Sequence, residues 1–111
     1  MQNVETLGTF EIMLMLALLR VGKDAYGVPM AREIESVTGK TVSLGSVYAT
    51  LDRLAEKGLV SSTVGEPTAQ RGGRAKRYFH VTGKGLRAVR NTQQILADLA
   101  RGIPQLRGET A

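Results

Sequence analysis

The chain of 111 residues contains no cysteine, no tryptophan, only three prolines and a single histidine. Without cysteine there are no disulfides, no thiolate zinc sites and no cysteine nucleophiles. His80 has no second histidine and no cluster of acids to work with, so metal ligation and acid–base chemistry lack their partners. A structural role is expected for His80, and neither a cofactor nor an enzymatic activity is expected of the chain. Acidic residues are missing from one long stretch. None lies between Glu66 and Asp98, where Arg71, Arg74, Lys76, Arg77, Lys84, Arg87 and Arg90 all fall. The net charge is +5, and its concentration on one part of the chain points to a polyanion, either nucleic acid or an anionic membrane. Long apolar runs are lacking too. Ile12 to Leu19 is wholly apolar but is bounded by Glu11 and Arg20, far short of the ~20 residues that span a bilayer. The start of the chain lacks the basic region and small-residue cleavage pattern of a signal peptide. A soluble, cytoplasmic protein with no membrane partner is expected.

What is present fits one compact domain, small enough for a partner subunit to complete part of its core. The pattern predicts a first helix over Leu7 to Arg20, capped by Thr6 and stopped by Gly22. Its apolar residues cover most of the circumference, which places it at the centre of the core, or between the core and a second subunit. A second helix is predicted from about Ala25 to Thr38, with Asp24 as cap, Pro29 in the first turn and Gly39 at the end. Val28, Ile34 and Val37, with Tyr26 and Met30, form its expected inward face. Ser43 caps a third helix ending at Gly58, in which Leu44, Val47, Leu51 and Leu54 recur at three and four residues as a buried stripe. Leu59 to Val64 and Lys76 to Val81 suit two strands, with a loop at Gly65 to Gly73 around Pro67 and the Gly72-Gly73 pair. Thr82 caps a last helix running to about Arg101. Along it Val89, Thr92, Leu96, Leu99 and Ile103 make a narrow seam of the coiled-coil kind. Such a helix extends ~30 Å, leaves the small domain behind, and needs a partner for its seam.

Three helices joined by short turns and followed by a hairpin predict an α+β, mostly α fold: a winged helix-turn-helix with one long C-terminal helix. Residues 7–82 form the winged unit, 83–103 a dimerisation helix in the same compact body, and 104–111 a frayed tail. No internal repeat and no second domain is evident.

On the third helix, the stripe leaves Gly45, Ser46, Ala49, Thr50 and Arg53 facing outward. Small residues near the helix start let it sink into a major groove about 12 Å wide. Ser46 and Thr50 can hydrogen-bond bases or phosphates, and Arg53 can reach a guanine or a phosphate. Ser43 and the free amides beside it can hold a phosphate. The bland alternative is an ordinary solvated face. Tyr48 lies beside the stripe, so either its ring packs or its hydroxyl reaches a phosphate. In the wing, Arg71, Arg74, Lys76 and Arg77 surround Gly72 and Gly73, a composition suited to close approach to a sugar-phosphate backbone. An arginine at its tip can also enter a minor groove. Lys84, Arg87 and Arg90 share one side of the last helix, facing either DNA or only solvent.

Several ordered segments are similar to the PadR family. They are Tyr26-Gly27, Ser43-Leu44-Gly45-Ser46-Val47-Tyr48, the run from Leu51 to Val60, and Arg71-Gly72-Gly73-Arg74-Ala75-Lys76-Arg77-Tyr78-Phe79-His80-Val81-Thr82, followed by Gly85. The resemblance covers roughly residues 7–90, and the single last helix resembles the short-tailed subgroup. It implies a winged-helix repressor that binds double-stranded DNA as a homodimer, joined through its last helix with its first. Val89, Thr92, Leu96, Leu99 and Ile103 would then line the dimer interface. Two alternatives stand beside operator blocking. One is a regulator sensing a small-molecule effector in the dimer interface, for which Met13, Met15 and Met30 are adaptable liners. The other is a winged helix used for protein contacts.

Overall fold

A computed structural model describes residues 6–65 and 76–107. Helix α1 spans Thr9–Val21, α2 Gly27–Thr38, α3 Leu44–Glu56 and α4 Gly83–Ala100. Strands β1 (Val60–Val64) and β2 (Arg77–Val81) pair antiparallel, with Ser62 opposite Phe79 and Val64 opposite Arg77. Short 3-10 turns occupy Gly22–Asp24 and Pro104–Leu106. The expected mostly helical α+β arrangement, three helices, a hairpin and a long last helix, is the one observed.

Local chemistry explains most boundaries. The Ser43 hydroxyl accepts from the Ser46 amide at 3.1 Å, and the Thr82 hydroxyl accepts from the Gly85 amide at 3.0 Å. Both are N-caps that satisfy donors a helix start leaves orphaned. Two expected caps move. Helix α1 starts after Gly8 rather than Thr6, because the Glu11 carboxylate reaches back to accept the Gly8 amide at 2.8 Å. Helix α2 starts after Tyr26 rather than Asp24. Here Ala25 is extended, and its carbonyl accepts from the Phe79 amide of β2 at 2.9 Å. The stretch that would have been the first turn of α2 instead lines the second edge of β2.

Helix α1 crosses the centre, touching α2, α3, α4 and β2. Leu14, Met15 and Leu18 pack there with Met30, Ile34, Val47, Leu51, Leu54, Leu59 and Phe79. Met15 and Met30 are therefore core residues. Leu16 and Leu19 remain exposed on the far side of α1. Where α4 begins, the backbone of Gly85 lies against the Leu59 carbonyl, leaving no room for a β-carbon.

Three burial expectations are corrected. Val37 is 75% exposed, since it faces the open groove between α1 and α2 rather than the packed layer. Leu44 is 43% exposed because residues 43–46, the first turn of α3, stand clear of their neighbours. The seam of α4 divides: Val89 and Thr92 are buried within their own domain, where the Thr92 hydroxyl accepts from the Leu7 amide at 3.0 Å. They are not free to line a dimer interface. Leu96 (57%) and Leu99 (70%) stay exposed, along with Ile95, Ile103 and Leu106. Helix α4 stops at Ala100, and residues 104–106, expected to fray, form a turn; residues 108–111 lie outside the described residues.

Candidate nucleic-acid interface

Helix α3 buries Val47, Thr50, Leu51 and Leu54. At 3.6 residues per turn these four occupy one arc roughly 100° wide. The opposite arc presents Gly45, Ala49 and Asp52 to solvent, flanked by Ser46 and Arg53. Of the outward residues expected from the sequence, Gly45, Ser46, Ala49 and Arg53 are exposed. Thr50 is not: at 3% exposure it lies inside the arc, beside Leu51 and three residues from Val47. Its hydroxyl accepts from Arg53 Nη2 at 3.2 Å and is not turned to solvent. Ser43 donates to the Ser46 hydroxyl oxygen at 2.9 Å while accepting its amide.

Tyr48 packs. Its ring centroid is 6.2 Å from that of Phe79, and its hydroxyl oxygen accepts from the Gly27 amide at 3.1 Å. A β-carbon on Gly27 would fall 2.5 Å from the phenol ring. The phenol thus joins α3 to the first turn of α2, supplying a partner to an amide the helix start leaves orphaned.

The wing expectation falls largely outside view, because Arg71, Gly72, Gly73 and Arg74 lie outside the described residues. Lys76 Nζ sits 4.2 Å from the centroid of the Tyr26 ring, and Tyr26 meets Tyr78 edge-on at 6.0 Å. These contacts fasten the hairpin to the start of α2. Arg77 shares a face of β2 with Phe79, since side chains two apart in a strand point the same way. It therefore turns toward α3, where Nη1 lies 3.1 Å from Asp52 Oδ1. Its Nε donates to the Ser62 hydroxyl at 3.4 Å, and its guanidinium carbon lies 5.0 Å from the Phe79 centroid. Asp52 is the residue that sequence reasoning missed. The one available signal was its place three residues after Ala49 on the outward arc.

Lys84 Nζ donates to the Lys57 carbonyl at 2.9 Å, closing the end of α3, while Arg87 and Arg90 are exposed on α4. On the other side of α3, Lys57 Nζ meets Glu11 Oε2 at 3.3 Å. The Glu11 carboxyl is held below its ordinary pKa, first by the Gly8 amide and further by Lys57, against the opposing effect of burial. No described helix is long and apolar enough to cross a membrane. Among the described residues, no group of three or more His, Asp or Glu side chains is placed to hold a metal ion.

The arrangement is a capped helix with a short-side-chain face, beside a hairpin whose first strand-borne arginine leans onto that helix. The sequence model of the transcriptional regulator PadR-like family matches residues 15–91. No curated protein matches the chain. Among solved structures, a PadR-like transcription factor from Bacteroides fragilis is 25% identical, with a TM-score of 0.69 over 83% of this chain and 84% of that one. A PadR family transcriptional regulator from Eggerthella lenta is 23% identical, with a TM-score of 0.66 over 87% and 82%. RosR of H. salinarum is 23% identical, with a TM-score of 0.68 over 93% and 86%. The last two likenesses show a shared fold.

Proposed function

The chain belongs to the PadR-like family of transcriptional regulators, and on that premise we propose that it is a repressor that blocks an operator as a homodimer. Each subunit inserts α3 into a major groove and lays its wing on the flanking backbone. A two-fold dimer then spaces the two half-sites about one helical turn apart, ~34 Å. One observation carries the reading: α3 exposes Gly45, Ser46, Ala49 and Arg53 on a single side, next to a hairpin bearing Lys76 and Arg77. Short side chains let the helix backbone approach base edges, and the cations beside it supply the phosphate contacts that dominate affinity. Arg71 and Arg74, which fall between the two strands in sequence, are assigned to the same backbone-neutralising set. The second subunit covers the exposed part of the α4 seam, Leu96, Leu99 and Ile103, together with Leu16 and Leu19 of α1. A cytoplasmic location goes with this reading.

The test is recovery of genomic DNA with the purified protein, followed by sequencing and footprinting. A two-fold related motif protected on one face of the duplex is the expected outcome. Recovery of unrelated sequences, with no protected site, overturns the reading.

A further inference from the structure

Asp52 stands at one edge of the outward arc of α3, on the side that meets the hairpin, a carboxylate beside the surface offered to a polyanion. An unneutralised acid there would repel phosphate. It is neutralised by Arg77 across the junction of α3 and the hairpin, with Nη1 to Oδ1 at 3.1 Å. Three groups from three elements fix that arginine: Asp52 from α3, the Ser62 hydroxyl from β1, and the edge of the core at Phe79 in β2. The two polar contacts use two of the five N–H donors of a guanidinium, and the side chain remains 42% exposed. The contacts of Arg77 among the described residues leave its other N–H groups without an assigned acceptor.

A pair this exposed contributes little to stability. Its effect is on geometry. A free arginine has many rotamers to lose when it grips a phosphate, whereas a held one has already lost them. Holding Arg77 from α3 also ties the position of the wing to that of the reading helix. We propose that Asp52 is a positioning residue, holding Arg77 so that its outer N–H groups meet a DNA phosphate as α3 enters the groove. This rests on the DNA-binding reading above and adds a specific contact to it.

The experiment measures equilibrium binding to a mixed-sequence DNA duplex over a range of NaCl concentrations. It uses the intact protein and its Asp52→Asn, Asp52→Glu, Arg77→Gln and Asp52→Asn/Arg77→Gln variants, with melting curves alongside. Arg77→Gln is expected to weaken binding on the order of tenfold and to lower the slope of log K against log salt by about 0.9, one phosphate contact. Asp52→Asn is expected to reproduce both changes although it removes a negative charge, with an unchanged melting temperature. Asp52→Glu should restore much of the loss, and the double variant should be no worse than Arg77→Gln alone. Tighter binding by Asp52→Asn with an unchanged slope overturns the proposal, since the acid would then only repel. So does a double variant whose losses simply add. If the unaltered protein binds no duplex at all, the functional reading itself falls and takes the proposal with it.

Discussion

The amide of Gly27 donates to the phenol oxygen of Tyr48 at 3.1 Å, and a β-carbon on that glycine would lie 2.5 Å from the phenol ring. The first turn of α2 and the second turn of α3 are therefore held at a separation only glycine permits. Gly27→Ala must push a ring that is already wedged against Phe79, at a cost of ~1–3 kcal/mol. Tyr48→Phe removes only the acceptor and should cost ~0.5–1.5 kcal/mol. Thermal melts check the order, at roughly 4–8 °C per kcal/mol for a domain near this size. A Gly27→Ala protein as stable as the original would mean that the two helices are not locked together here.

Ala49 and Thr50 are adjacent in sequence but turned about 100° apart on the helix, one exposed and one buried. Ala49→Glu places a long anion on the proposed reading face, so DNA binding should be lost while stability shifts by only about 0.5 kcal/mol. Thr50→Val removes a hydroxyl that faces the Arg53 side chain, not solvent. Its binding preference between operator and scrambled duplexes should stay within about twofold of the original. Competition binding with both duplexes decides; a Thr50→Val variant that no longer distinguishes them would put Thr50 on the DNA.

In the proposed dimer, the split seam of α4 should separate assembly from folding. Leu96→Glu with Leu99→Glu should give a folded monomer, because both side chains are exposed within the subunit and a buried unpaired charge costs ~3–5 kcal/mol only once the partner covers it. Val89→Ala removes buried methyl groups and should cost on the order of 2 kcal/mol of stability without dissociating subunits. Light scattering and melting curves read the two effects independently. A monomeric original protein at tens of micromolar would refute the dimer.

Glu11 gives a pH signature. Its carboxyl is held below the ordinary value of 4.5, chiefly by the Gly8 amide and then by Lys57. A group whose pKa is lowered on folding contributes stability above its unfolded value and loses it as pH falls through its folded value. The melting temperature of the original protein should therefore exceed that of Glu11→Gln near neutral pH. The gap should close as the pH drops below about 4.5. A gap that stays constant over that range would show that the charge is not what stabilises the start of α1.

The sequence alone determined the elements and their order. Ser43 and Thr82 are good caps wherever they precede an apolar period, and Gly39 ends α2 with a φ of 73°. These are local effects, decided by a few neighbouring residues. The segments that resemble the PadR family likewise lie in order along the chain. Tertiary structure decided how each helix is turned and how far its partners reach. Thr50 and Leu44 were exchanged across the surface of α3 because a threonine suits either side, and because a leucine in a first turn that stands clear has nothing to pack against. Val89 and Leu96 share one heptad seam, yet only the first is covered, since the body of the domain stops near Thr92. The pairing of Asp52 with Arg77 joins two elements far apart in sequence, so no periodicity could announce it. Capping and period act within a few residues, whereas burial and charge pairing depend on what the fold brings alongside.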